Sequence, residues 1–236
     1  MELQECLLTE KELKLLSVAE KLIASKKPKA MKIMFNDKYG LTKAVLDGRK
    51  TMTRRIINPQ PSFNDTSGIV WKGYAYGLSF SKTEEECYYN FIRNINYNKD
   101  YKGFKNGGIV AIAQRYQDIV CNSSFEDWEI KNLRNSEGWN NKMFVKAEFM
   151  PNHIRITDVR LERLQDISDE DCLREGIQED LKCVQYSFDS NIGFCNQYPY
   201  GTPRSAFAAL IDKVSGNGTW ESNPYVFVYE FELIKK

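Results

Sequence analysis

The sequence predicts an α+β domain built around a mainly antiparallel sheet or small barrel. Two observations carry that reading. Short apolar runs of strand length recur along the chain, bounded by glycine, proline or asparagine, and three or four capped helices interrupt them without a regular β-α-β alternation. With 236 residues and 42% hydrophobic content the chain can bury a sizeable core, in the range of one large domain or one domain with an extension.

At the start, Thr9-Glu10-Lys11-Glu12 is a capping-box pattern, and Leu15, Val18, Ala19, Leu22 and Ile23 follow at helical spacing. A first helix therefore runs to about Ala24 and stops before Pro28, which disfavours helix at itself and at its predecessor. Residues 1–30 read as an appended helix and linker, and 31–236 as the main domain. Met31 to Phe35 reads as a strand, and Leu41 to Leu46 as a short helix closed by Gly48, a residue suited to the left-handed stop. Residues 58–106 are rich in Asn, Ser, Gly, Lys and Tyr with weak periodicity, which marks a long decorated insertion.

Gly107-Gly108 opens a buried strand through Ile109 to Ala113 and on to Tyr116. Lys142 to Phe149 and His153 to Leu164 read as a pair of strands broken at Pro151. Ser168, followed by Asp169-Glu170-Asp171, has the marks of a helix N-cap with acids in the first turn, and Gly176 supplies the stop. Thr202-Pro203 starts another helix with Phe207, Leu210 and Ile211 on its core face. Asn217-Gly218 turns the chain into a last strand, where Tyr225, Phe227, Tyr229, Phe231 and Leu233 alternate with Val226, Val228, Glu230 and Glu232.

Composition removes several classes of function. Lys+Arg 33 against Asp+Glu 32 leaves a net charge of +1, so any contact with nucleic acid needs a local patch rather than a global field. The six cysteines include no C-x-x-C pair and suit reduced thiols in a cytoplasm. His153 is the one histidine, which argues against a metal site, and no cofactor motif is visible. The apolar runs fall far short of the ~20 residues that span a bilayer, and no secretory signal is evident.

The densest chemical signal is the octet Gly48-Arg49-Lys50-Thr51-Met52-Thr53-Arg54-Arg55, with four cations and two hydroxyls at a helix-to-strand junction. Donors of this kind suit a bound anion, although a solvated basic turn has the same composition. Glu175 is the second signal: a carboxylate in the last turn of a helix, where the carbonyl ends disfavour it unless cations lie near. On one regular strand Lys50 and Thr53 would face opposite sides, so the turn at Gly48 has to hold Lys50 outside the strand if the two act together.

Together with the strand at Gly108 to Tyr116, the segment Leu164 to Ile177 and Trp220-Glu221-Ser222-Asn223-Pro224, the octet resembles the ASCH domain family, more closely its phage and prophage-encoded branch. The likeness covers roughly residues 31–236. It implies a PUA-like β-barrel with flanking helices, a long insertion and a cleft that recognises RNA or a modified nucleoside. Arg49, Thr51, Arg54 and Arg55 would be the ligand-binding residues. Some small members of the family are amidohydrolases that deacetylate N4-acetylcytidine, and by position Lys50, Thr53 and Glu175 match their catalytic lysine, threonine and glutamate. A third reading is a non-catalytic interaction protein of a mobile element.

Overall fold

The computed structural model describes residues 30–64, 68–76, 83–98, 101–122, 125–180, 185–187 and 200–234. The helix expected near the start of the chain lies outside them. From Met31 on, the described residues belong to one compact unit.

The last strand organises this unit. Strand β10 (Tyr225–Ile234) pairs antiparallel with β7 (His153–Arg163) on one side and with β2 (Met52–Ile56) on the other. Beyond β7 lies β6 (Ile109–Ile112), antiparallel to it, and then the two-residue β1 (Lys32–Ile33), parallel to β6. The five-stranded sheet thus has the order β1-β6-β7-β10-β2. The α+β class holds. The sheet is open, since among the described residues no ladder joins its edge strands β1 and β2, and no closed barrel forms. Tyr225 to Tyr229 are buried without interruption, because β10 is central and covered on both faces.

The described residues of the segment 58–106 carry more regular structure than their composition suggests. Strands β3 (Ser62–Asn64), β4 (Gly68–Trp71) and β5 (Tyr74–Tyr76) make a small antiparallel sheet. After it comes helix α2 (Glu84–Tyr97), capped by the Thr83 hydroxyl accepting from the Glu86 amide. Cys87, Phe91, Ile92 and Ile95 form a buried stripe at helical spacing that the surrounding Tyr and Asn residues disguise in the sequence. Phe91 is fully enclosed and meets Trp71, Tyr76 and Phe227 at ring distances of 5.5, 4.9 and 6.1 Å. The insertion therefore shares the core of the main sheet.

Two further expectations are corrected. Lys142 to Phe149 is not a strand but two 3-10 turns, Lys142–Phe144 and Ala147–Phe149. Its carbonyls are taken by a side chain instead of a ladder, the Lys32 ammonium donating to Met143 O at 2.5 Å and Val145 O at 2.7 Å. The strand at Ile109 ends at Ile112, and Tyr116 opens helix α3 (Tyr116–Ile119), which with α4 (Asp127–Arg134) closes a smaller apolar cluster containing Leu133, Val145 and Met150. Ile109 itself is exposed.

The remaining helices are α1 (Leu41–Leu46), α5 (Asp169–Arg174), α6 (Pro203–Ser215) and α7 (Thr219–Ser222), with a short β8 (Gln178–Asp180) and β9 (Gln185–Ser187) hairpin between α5 and α6. Caps fix both helices whose starts are legible in the sequence. The Ser168 hydroxyl accepts from the Asp171 amide at 3.1 Å, and the Thr202 hydroxyl from the Ser205 amide at 3.1 Å. Phe207, Leu210 and Ile211 of α6 are buried. No described helix is long and apolar enough to cross a membrane.

Because Phe91 ties the insertion to the main core, Phe91→Ala should destabilise the protein by about 3–5 kcal/mol in chemical denaturation. Tyr89→Ala, on the exposed face of the same helix, should change stability by less than about 0.5 kcal/mol. An unchanged unfolding midpoint for Phe91→Ala would mean that α2 does not belong to the core.

Candidate functional site

Two helix C-termini meet at the candidate site. At the end of α1, Gly48 takes a left-handed φ of 77°, and the Arg49 and Lys50 amides both donate to Ala44 O at 2.9 Å. This double wrap keeps Lys50 in the helix cap, so β2 begins only at Met52. At the end of α5, Gly176 has φ 104° and its amide donates to Leu173 O. A Cβ on Gly176 would lie 3.5 Å from both Lys50 Cβ and Leu41 Cδ2, so the two helix ends are in direct contact. The Thr51 amide donates to Arg174 O at 3.0 Å and links them through the backbone.

Across this junction the Lys50 ammonium donates to the Glu175 carboxylate at 2.5 Å and to the Glu175 carbonyl at 2.7 Å. One side chain thus satisfies both the acid and a terminal helix carbonyl. The other carboxylate oxygen of Glu175 lies 3.4 Å from Arg54 Nη1. Arg54 Nη2 reaches Asp171 at 2.8 Å and Glu162 at 3.0 Å. The network continues outward through Arg160, which contacts Asp158, Glu162, Asp171 and Glu230, and Arg174, which contacts Asp171 and Glu230.

Lys50, Thr53, Arg54 and Glu175 are each no more than 5% exposed, and Thr42 is the one other buried polar residue among those described. All four line a cavity of about 280 Å³, together with Arg55. Its apolar wall comes from Phe35, Leu41, Phe207, Leu210 and Ile211, and the lining residues that reach solvent include Met34, Ile56 and Val214. Phe35 lies under both the Lys50 ammonium and the Arg55 guanidinium, at 5.9 and 5.8 Å from the ring centre. The Nε–H groups of Arg54 and Arg55 are buried without a hydrogen-bond partner among the described residues.

Burial sets the proton affinities here. It pushes the Lys50 ammonium below its ordinary value, against the pull of Glu175, and the charges of Arg55 and Arg54 push in the same direction as burial. Burial likewise lowers Arg55. Arg54 is raised, because Glu175, Asp171 and Glu162 more than offset its own desolvation. Burial lifts the Cys172 thiol to about 12, which keeps it protonated and unsuited to nucleophilic attack near neutral pH. No group of His, Cys, Asp and Glu among the described residues could hold a metal ion.

The cavity brings together five of the residues singled out in the sequence: Lys50, Thr53, Arg54, Arg55 and Glu175. Arg49 and Thr51 are not among its lining residues. Arg49 sits on the exposed turn and pairs with Asp47 at 3.5 Å, while the Thr51 hydroxyl accepts from Arg174 Nε at 3.4 Å. Of the residues expected to bind a ligand, Arg54 is held deep inside by its three carboxylate partners. Asp171 reads in the sequence only as a helix-start acid, and Glu162, Glu230 and Arg160 are not singled out there as site residues. Their signal was charge placed within apolar strands: Arg160 and Glu162 flank Leu161, and Glu230 stands between Tyr229 and Phe231.

Lys50 should titrate below 10.5 in a side-chain NMR experiment. Arg55→Gln should raise its midpoint by removing a like charge, and Glu175→Gln should lower it further by removing the attractive one. A midpoint that falls in Arg55→Gln would contradict this electrostatic arrangement. The sign for stability follows: between the lowered value and 10.5 the unfolded chain holds the proton more tightly, so stability gains from Lys50 as pH rises through that window. No family model, curated protein or solved structure matches this chain.

Proposed function

We propose that the cavity receives a modified pyrimidine nucleoside, in keeping with an ASCH-type, PUA-like domain that recognises RNA or modified nucleosides. The observation that carries the reading is the combination of an ionic interior with an apolar opening. Lys50 and Arg54 are paired with Glu175, Asp171 and Glu162, while Arg55 lines the same cavity and donates to the Met34 carbonyl, so two of the three lining cations are already compensated and little charge is left for a phosphate. At about 280 Å³ the space falls just below the range of small-molecule pockets, about 300–1,000 Å³, which limits it to a compact ligand. The guanidinium groups of Arg54 and Arg55 border the space, and their Nε–H groups have no hydrogen-bond partner among the described residues. These features favour a neutral, compact ligand over a polynucleotide strand at this cavity.

A second reading, amide hydrolysis, is favoured by the lowered proton affinity of Lys50 beside Thr53 and Glu175. In the neutral form Lys50 accepts a proton from the nucleophile, either the Thr53 hydroxyl or a water, as that oxygen attacks the acyl carbon. The proton then passes to the departing amino nitrogen as the C–N bond breaks. With N4-acetylcytidine, addition of one water overall yields cytidine and acetate. Glu175 holds the lysine and takes part in sharing its proton, and an arginine Nε–H serves as a donor to the oxyanion.

Calorimetric titration should show N4-acetylcytidine binding and its 5′-phosphate binding more weakly. Absence of binding by every nucleoside tested would dismiss the nucleoside site. If the cavity is catalytic, absorbance should report deacetylation that falls by about 10²–10⁴ in Lys50→Ala. The rate should climb with pH toward the Lys50 midpoint, and Arg55→Gln should shift that limb to higher pH. Turnover retained in Lys50→Ala would exclude the lysine mechanism while leaving nucleoside binding intact.

A further inference from the structure

A groove of about 690 Å³ runs between α2 and β7 and shares no lining residue with the Lys50 cavity. Tyr89, Arg93 and Tyr97 stand at i, i+4 and i+8 on α2 and so line up along one face of the helix. Tyr89 is 68% and Tyr97 78% exposed. Tyrosine rings left this open forgo a large apolar contribution that their burial would bring. Arg93 between them is exposed and makes no ion pair among the described residues.

The opposite side of the groove differs in charge state. Arg160 there is already engaged by Asp158, Glu162, Asp171 and Glu230, and Asp158 is held by Arg160 at 3.3 Å, so this wall is internally compensated. Asn96 accepts from the Asn106 amide at 3.3 Å, which fixes its side-chain carbonyl and leaves its amide hydrogens as donors. The aliphatic residues beneath, Ile92 and Leu161, are buried in the core. What the groove offers is flat π faces, one free guanidinium and amide donors, with little exposed aliphatic surface for a protein partner's apolar core.

We infer that this groove binds single-stranded nucleic acid, with bases stacked on Tyr89 and Tyr97 and a phosphate held by Arg93. The spacing suits that occupant. Two helical turns carry Tyr89 to Tyr97 over about 12 Å at 1.5 Å per residue. That distance accommodates stacked bases with a backbone phosphate beside the intervening arginine. Every base has a π face, so the site should tolerate sequence and draw its affinity from stacking together with a small electrostatic component. Strand binding here is separate from nucleoside recognition in the cavity, and either stands without the other.

The test is fluorescence anisotropy of the full chain with labelled oligouridine and oligothymidine of equal length at low salt. Tyr89→Ala and Tyr97→Ala should each weaken binding roughly tenfold, and Arg93→Gln should lower the salt slope by about 0.7. Circular dichroism should be unchanged in all three, since the residues are exposed. Tighter binding of the RNA arm would assign the occupant to RNA, and equal binding to single strands in general. Absence of oligonucleotide binding, affinity indifferent to both tyrosines, or affinity lost in Lys50→Ala but kept in Tyr89→Ala would overturn the inference. Nucleoside titrations on the same variants keep the two sites distinguishable, because the groove variants should leave the cavity unaffected.

Discussion

The contact on which the site depends is the Lys50 ammonium closing onto the carboxylate and the carbonyl of Glu175. It joins two helix ends that are 125 residues apart in sequence. Around it the two helix caps, the start of β2 and the guanidinium of Arg54 take their places. The backbone prepares the contact before the charges meet, because Gly48 and the shared Ala44 carbonyl hold Lys50 in the cap of α1. Thr53, one residue into β2 from Met52, can then line the same cavity despite standing three positions along the chain.

A buried ion cluster of this kind is a poor way to stabilise a fold. Each ion loses hydration at a cost of several kcal/mol, and apolar side chains of similar volume serve stability as well or better. Here the loss is offset by repeated sharing: Glu175 has two cationic neighbours, Asp171 has three and Arg54 has three anionic ones. The cluster runs from the buried Lys50 and Arg54 out to Arg160 and Arg174, which reach solvent and close onto Glu230. Such an arrangement next to open space weighs toward a ligand, since the same charges placed in a closed core would bring only their desolvation penalty.

Local chemistry was legible in the sequence and long-range chemistry was not. Ser168 and Thr202 announce their helices because a cap is a contact over three residues, and Gly48 marks the end of α1 for the same reason. The position of Glu175 at a helix end called for a cation nearby, but no spacing rule spans the 125 residues to Lys50. Helix α2 was hidden because Asn and Tyr fill most of its surface and dilute the stripe from Cys87 to Ile95. Lys142 to Phe149 carries β-forming residues, yet a lysine from β1 captures its carbonyls, a tertiary event that propensity does not report. The barrel expectation went beyond the strands themselves: β1 is two residues long and offers no edge to close upon.

Gly176 has a role that its lack of a side chain conceals. It lies outside the cavity lining, but its Cα faces Lys50 Cβ, Leu41 and Ala44 across the seam between the two helix ends. Any L-residue there would have to hold a φ of 104°, although its Cβ would meet the stem of the lysine at an ordinary 3.5 Å. Substitution at 176 therefore strains the turn that carries Glu175 rather than crowding the lysine opposite it. The position is a place from which evolution or design could retune the site while leaving every polar group within it in the sequence.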